Sequence, residues 1–492
     1  NTARSVRHRR TLGQAFHMGR HILGYEIQTA SAVVDWAERQ LPGRVHVTGG
    51  EIALLCAAAD PRIQSVHLCD YTGPPDPIWE APLDRNLYGE AIGFGEKEIR
   101  SLVRPREILE IEIDVDHLKP RDLDLLQGFD PAGRHQRLFT DLEQHLQRLV
   151  RASNDVREQF YLFQAEPLLE GGKWSTNKEH PTLDPANFIE NSKAFREKFH
   201  NEAMGAFHQQ LLEPNPRSRQ ILETDEWKAW DVVLDVYPDF FAWGVLILPK
   251  NLNPDERRPV VVCQHGRNGI PRDCIDANKP AYNDFAAKLA ERGFITFVPH
   301  NLYRGEDRYR VLDRKANAVG CSLFSFIIPS HRQILDWLKT QPYVDSDRIA
   351  FYGLSYGGET AVRVPPVLED YAVVICSGDF NQWTRKVAAT DFPNGFMKTI
   401  EWEMPYWNLG HTFDYAEMSY LIFPRPFMVE RGHHDRVSRD HWVAHEYAKT
   451  RWLYAQFGMA NRTEIEYFQG GHSINGKGTF EFLHKHLDWP KR

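Results

Sequence analysis

A chain of 492 residues, 42% hydrophobic and 26% charged, with 33 Gly and 30 Pro, can bury a sizeable core and is not collagen-like, low-complexity or wholly disordered. Its 59 Lys and Arg against 67 Asp and Glu give a net charge of -8, too mild and too mixed for a nucleic-acid partner. The longest apolar stretch, residues 240–248, is about half of what a bilayer-spanning helix requires, so no transmembrane segment is expected.

The basic opening NTARSVRHRR is not followed by an apolar core and the chain starts on Asn, so it is not read as an intact signal peptide, and residues ahead of Asn1 are allowed for. Residues 12–36 then run into a short strand, RVHVTG at 44–49. A second apolar strand follows in SVHLC at 65–69, and the segment LVRPREILE occupies 102–110. Between 116 and 225, Leu138, Leu142, Leu146, Leu149, Val156 and Phe160 fall at spacings of three, four and seven, which predicts a helix with one buried face. The stretch 165–225, rich in Pro, Asn, Glu and Lys, reads as irregular connector with short helices.

From Trp227 strands and helices alternate: DVVLDVY at 231–237, AWGVLILP at 242–249, PVVVCQHG at 259–266, a helix through 285–293, and FITFVPH at 294–300. An antiparallel opening pair followed by αβ units predicts a mixed, mostly parallel sheet with helices on both faces. Residues 318–337 resemble 12–36, and the match continues in order. RIAFYG at 348–353 answers 44–49, Gly357-Gly358-Glu359 answers Gly49-Gly50-Glu51, AVVIC at 372–376 answers 65–69, and LIFPRPFMVE at 421–430 answers 102–110. The chain therefore reads as a partial α/β unit over 1–115, a connector over 116–225 and a complete α/β unit over 226–492.

Only the second copy carries Leu354-Ser355-Tyr356 between its glycines, giving Gly353-Leu354-Ser355-Tyr356-Gly357 between a strand and a helix-like run. The glycines of G-x-S-x-G permit a tight turn that lifts the serine Oγ above the sheet edge, and the helix N-terminus favours developing negative charge. Ser355 is the candidate nucleophile. Asp435 follows the strand RPFMVE within Gly432-His433-His434-Asp435-Arg436-Val437, and His472 follows TEIEYF within Gln469-Gly470-Gly471-His472, in the order Ser, Asp, His.

On these three motifs, residues 226–492 resemble the α/β-hydrolase family, nearest its dienelactone-hydrolase-like and acetyl-xylan-esterase-like branch, with 1–115 as a degenerate partial copy. The resemblance implies an acyl-enzyme mechanism in which Ser355 attacks a carbonyl, His472 shuttles the proton and Asp435 holds the imidazole. It implies an oxyanion hole from the Tyr356 amide and one from Gln264-His265-Gly266-Arg267-Asn268-Gly269, where Arg267 is preferred and Asn268 is the near alternative. His265 is expected to brace that loop. Asp379, in CSGDFNQW, is a second place for the acid, an arrangement resembling glucuronoyl esterases.

The insertion 380–420 is expected to form a lid or wall, with Trp383, Trp402 and Trp407 as candidate substrate-facing aromatics and packing as the competing reading. Arg304, Arg308 and Arg310 read as solvated loop charges. The pairs His433 and His434, His441 and His445, and His17 and His21 do not supply three or four converging ligands, and no H-E-x-x-H occurs, so neither metal nor cofactor is expected. The six cysteines have no C-x-x-C or metal spacing and read as buried thiols, with room for one disulfide.

The expected function is hydrolysis of small polar or carbohydrate-linked esters. A serine peptidase resembling the prolyl-oligopeptidase catalytic domain, or a binding and assembly protein built on the degenerate copy, are the alternatives. Pairing with a second chain or with an upstream segment is allowed for, and related sequences point to an exported protein.

Overall fold

The structure, a computed structural model, describes residues 13–40, 43–69, 95–111 and 185–491 apart from 390 and 403, with 71, 73, 79, 85–89, 144 and 148 between them. Of the helix expected around Leu138–Phe160, Gln144 and Arg148 are described, both helical, and its six apolar positions lie outside the described residues. The N-terminal unit runs α1 (Ile22–Gln40), β1 (Val45–Gly49), α2 (Glu51–Ala59), β2 (Ile63–Cys69), α3 (Glu96–Val103) and β3 (Glu107–Ile111). Its strands form a parallel sheet in the order β1-β2-β3. Val66 and Leu68 of β2 meet Leu54 and Ala57 of α2 and Ile99 and Val103 of α3 in a small core.

Residues 13–19 pack elsewhere, on the 380–420 insertion. Gln14, His17 and Met18 are buried there, with the Gln14 amide donating to Ala388 O at 3.0 Å and the Asn408 amide to Phe16 O at 3.0 Å.

The main sheet begins earlier than the sequence suggests. Residues 185–205 hold helix, as α4 (Pro185–Lys198) and a π-helical turn over Phe199–Gly205, in a stretch expected to carry short helices, but they are followed by an edge strand outside that expectation, β4 (Arg217–Glu223). The boundary drawn at 226 thus falls behind the first strand. Its successors are β5 (Trp227–Tyr237), β6 (Phe240–Pro249), β7 (Arg258–Gln264), β8 (Ile295–Pro299), β9 (Val344–Leu354), β10 (Val373–Ser377), β11 (Phe427–Gly432) and β12 (Thr463–Phe468). They lie in the order β12-β11-β10-β9-β7-β8-β6-β5-β4, parallel from β8 to β12 and antiparallel among β4, β5, β6 and β8.

Every residue of β7 and β10 is buried, as befits strands covered on both faces. Alternation splits them between two cores: Val260 and Val262 face one, Val261 and Cys263 the other. Helices α5 (Phe285–Glu291) and, at the C-terminus, Gly478–His486 cover the second face through Phe285, Phe480 and Leu483. On the first face lie α6 (Glu306–Ala318) and α7 (Phe324–Lys339), with Phe324, Ile327 and Leu335 turned inward. The six cysteines are free thiols, five of them buried. No helix among the described residues is long and apolar enough to cross a membrane.

Within α7, His331 is buried with Nδ1 2.7 Å from the Tyr371 hydroxyl, and burial pulls its pKa down to about 3. Below its ordinary value near 6.5 the unfolded chain gains a proton that the native chain refuses, so this group's contribution to stability falls as pH drops from about 6.5 towards 3. His331→Asn should therefore reduce the pH slope of unfolding free energy, measured by urea titration between pH 6 and 4.5, by up to about 1.4 kcal/mol per pH unit. An unchanged slope would mean that His331 titrates alike in both states.

Candidate active site

The loops after β7, β9, β10, β11 and β12 leave one edge of the parallel sheet, where an open α/β fold gathers groups distant in sequence. The turn after β9 leads into α8 (Tyr356–Ala361) and holds Ser355 at φ 62 and ψ -124. A serine in that conformation carries strain of about 1–3 kcal/mol, which the surroundings must impose. They do so by hydrogen bonds on both sides. The Ser355 amide donates to Ser377 O at 2.9 Å and its carbonyl accepts from the Glu359 amide at 2.8 Å. A Cβ on Gly353 would run into the Gly357 carbonyl, and one on Gly357 into that of Gln264, so both motif glycines are required by close approach.

His472 Nδ1 donates to Asp435 Oδ2 at 2.8 Å, the carboxylate 1% exposed and the imidazole 33%. Asp435 Oδ1 accepts from the Val437 amide at 2.8 Å. The Asp435 and His472 loops are stitched together, with the His433 amide on Phe468 O at 2.9 Å and the His434 amide on Gly470 O at 2.8 Å. Beneath the acid, the buried Arg431 guanidinium donates Nη2 to Asp435 O and Ser438 O, both at 2.9 Å, and Nε to Asp440 Oδ1 at 2.9 Å. A Cβ on Gly378 would lie 3.2 Å from the His472 ring, one residue after the carbonyl that holds the Ser355 amide. The Ser355 turn and the His472 imidazole thus meet at the end of β10.

The loop after β7 presses on the serine, since a Cβ on Gly266 would stand 2.8 Å from Ser355 Cβ and 3.3 Å from its Oγ. Its Gly266 amide donates to the Tyr282 hydroxyl at 3.0 Å, and its Asn268 amide to Tyr303 O at 2.9 Å. That commits the Asn268 amide elsewhere, which counts against this near alternative as an oxyanion donor. His265 is the expected brace: buried, pulled down to about 3 mainly by burial, donating Nδ1 to Gly266 O at 2.9 Å and accepting from the Asn301 amide at 3.1 Å.

A second brace is invisible in the sequence. Arg304 is exposed, as expected of a solvated loop charge, yet its Nη1 also donates to Asn268 O at 3.0 Å and Gly269 O at 3.1 Å. Arg310 likewise donates to Ile400 O at 2.5 Å and lies over the Trp402 ring at 5.5 Å. No spacing distinguishes either arginine from an ordinary loop cation.

Asp379 is also buried near His472, but its Oδ2 accepts the Tyr415 hydroxyl, and burial pushes its pKa up to about 6. Among the insertion's tryptophans, Trp383 corrects the sequence reading: it is fully buried, 4.8 Å from the Phe396 ring and with the Arg363 guanidinium 4.6 Å over its face, so it is core and not wall. Trp407 packs on Phe16 and Tyr88, each ring 5.2 Å away. Trp402 stays half-buried beside Glu401, whose carboxylate is 3.4 Å from the Arg267 guanidinium.

Among solved structures, a proposed acetyl xylan esterase from Bacteroides fragilis is 19% identical, over 58% of this chain and 76% of that one, with a TM-score of 0.48. An acetyl xylan esterase from Paenibacillus sp. R4 is 16% identical over 64% and 96%, at 0.41. A glucuronoyl esterase from Solibacter usitatus is 12% identical over 63% and 94%, at 0.48. A sequence model of the Abhydrolase family matches residues 180–450, more than half of the chain. Strands β4 to β11 and the serine turn fall within that match, and the chain is a member of the Abhydrolase family, with the α/β-hydrolase fold.

Proposed function

We propose that this chain is a serine carboxylic-ester hydrolase acting through an acyl-enzyme. The observation that carries the reading is the buried Asp435 carboxylate on His472 Nδ1 at 2.8 Å, next to a serine held at positive φ. Ser355 Oγ attacks the ester carbonyl carbon as its proton passes to His472 Nε2. The tetrahedral oxyanion is received by the Tyr356 and Arg267 amides. The C–O bond to the alcohol then breaks, with the His472 proton leaving on the alcohol, and water repeats the sequence to release the acid and restore Ser355. Asp435 keeps the imidazole in the tautomer that can accept this proton.

Small polar or carbohydrate-linked esters are the substrates this reading favours. Trp402 and the Arg267–Glu401 pair set an aromatic face and polar groups beside the oxyanion loop, which suits a sugar ring. The N-terminal 115 residues are read as a degenerate copy of the fold, a reading supported by the shared parallel order of β1-β2-β3 and β9-β10-β11 and by the lack of a serine between Gly49 and Gly50.

The direct test is hydrolysis of p-nitrophenyl acetate, butyrate and octanoate and of acetylated xylo-oligosaccharides. Acetate release exceeding octanoate release by about tenfold or more in kcat/KM is expected, a discrimination of about 1.4 kcal/mol. A preference for octanoate would remove the small-acyl reading, and no ester turnover by folded protein would remove the reading altogether.

A further inference from the structure

Glu430 lies on β11, two residues before its end, and no part of the mechanism above uses it. Its carboxylate is buried, in a residue 1% exposed. Oε2 accepts the Ser377 hydroxyl at 2.5 Å and the Tyr352 hydroxyl at 2.9 Å. Oε1 accepts the Asn475 amide at 3.1 Å, the Gly476 amide at 3.0 Å and the Thr479 hydroxyl at 3.4 Å. All five of these partners are neutral. A carboxylate is expensive to bury without a cation, and burial together with nearby Glu466 pushes this one up to about 7.

The donors fall in two groups. Tyr352 stands three residues before Ser355 on β9, and Ser377 is the residue whose carbonyl holds the Ser355 amide. Asn475 and Gly476 stand three and four residues after His472, in the loop that carries the base. One oxygen is therefore committed to the strands behind the nucleophile and the other to the loop that carries the imidazole. Glu466 of β12 holds the far side of that loop, accepting Asn475 Nδ2 at 2.6 Å and the Gly478 amide at 3.1 Å.

We propose that Glu430 is a positioning residue that sets the distance between Ser355 and His472 by tying the base loop to β9 and β10. The proposal rests on the serine-hydrolase reading for its kinetic consequence, though not for its structural one. Without the carboxylate the Asn475 and Gly476 amides lose their acceptor and the base loop is freed on its sheet side. A shift of about 1 Å between catalytic groups costs about 100-fold in rate. Gln keeps one carbonyl for the two amides and an NH2 that the Ser377 and Tyr352 hydroxyls can accept, so it preserves the tie without the charge. Asp keeps the charge but is too short to reach both sides.

The test is steady-state kinetics on p-nitrophenyl acetate with E430A, E430D and E430Q, alongside S355A, and proton NMR of the His472 Nδ1–H resonance, assigned by its loss in H472A. Expected are a kcat about 100-fold lower in E430A and about 10-fold lower in E430D, KM within twofold of wild type in both, and E430Q within about fivefold of wild type. The Nδ1–H resonance should broaden or shift in E430A and E430D and be retained in E430Q. Folded E430A or E430D with wild-type kcat and resonance overturns the proposal, and if E430A does not fold, E430D alone decides it. A rise in KM with kcat unchanged also overturns it. Turnover that survives in S355A defeats the parent reading instead, and the resonance then still decides the role of Glu430.

Discussion

Ser355→Ala should lower ester turnover by about 10⁴–10⁶ in kcat and abolish labelling by a fluorophosphonate probe, with the fold intact by circular dichroism. Removing a triad nucleophile leaves only the catalysis that binding and the oxyanion donors supply, so the loss sits at the upper end of what one side chain can cost. Alanine keeps the Cβ that strains the backbone at φ 62, so the turn is neither relieved nor strained further and the variant should be about as stable as the parent. Loss of activity without loss of stability is the signature of a group kept for chemistry. Residual turnover above about 1% would mean that another nucleophile does the work.

Asp435→Asn should reduce kcat by about 10⁴, because an amide NH2 facing Nδ1 favours the tautomer that leaves Nε2 protonated and unable to take the serine proton. Asp379 is the rival carboxylate, and the two make opposite predictions. If Asp379 were the orienting acid, Asp379→Asn would carry the large loss and Asp435→Asn a small one. The geometry gives the large loss to Asp435, whose oxygen lies 2.8 Å from the imidazole, whereas Asp379 takes the Tyr415 hydroxyl. Asp379→Asn should cost less than about tenfold, since burial already holds its pKa up at about 6 and an amide keeps an acceptor for Tyr415. Equal, large losses in both variants would show that the two carboxylates act as one unit.

The parts of this molecule legible in its sequence are those fixed by strong local rules. Continuous apolar runs such as PVVVC and AVVIC announce strands covered on both faces, and G-x-S-x-G announces a turn where a Cβ on either glycine would strike backbone. β4 was hidden because RSRQILE is an edge strand with six of its seven residues exposed, so neither alternation nor an apolar run marks it. Trp383 looked like a wall because nothing in a sequence tells a buried aromatic from an exposed one. Its neighbour Arg363, fully buried and spread over the rings of Trp383, Tyr406 and Phe324, belongs to the same enclosed cluster. Arg304 and Glu430 were missed for a related reason: each acts on backbone amides or carbonyls of loops remote in sequence, and backbone groups leave no residue-type signature.

The contact between residues 13–18 and the insertion carries a consequence for how this sequence can change. A Cβ on Gly410 would stand 2.6 Å from the His17 ring, and one on Gly13 would strike the Met397 side chain, so two stretches nearly 400 residues apart share one steric fit. Larger residues at Gly410 or Ala388 are tolerated only if His17 or Met18 shrinks at the same time. The insertion and the N-terminal segment should therefore drift in step among relatives that keep both, and grafting either one alone into a related scaffold should leave a mismatched seam.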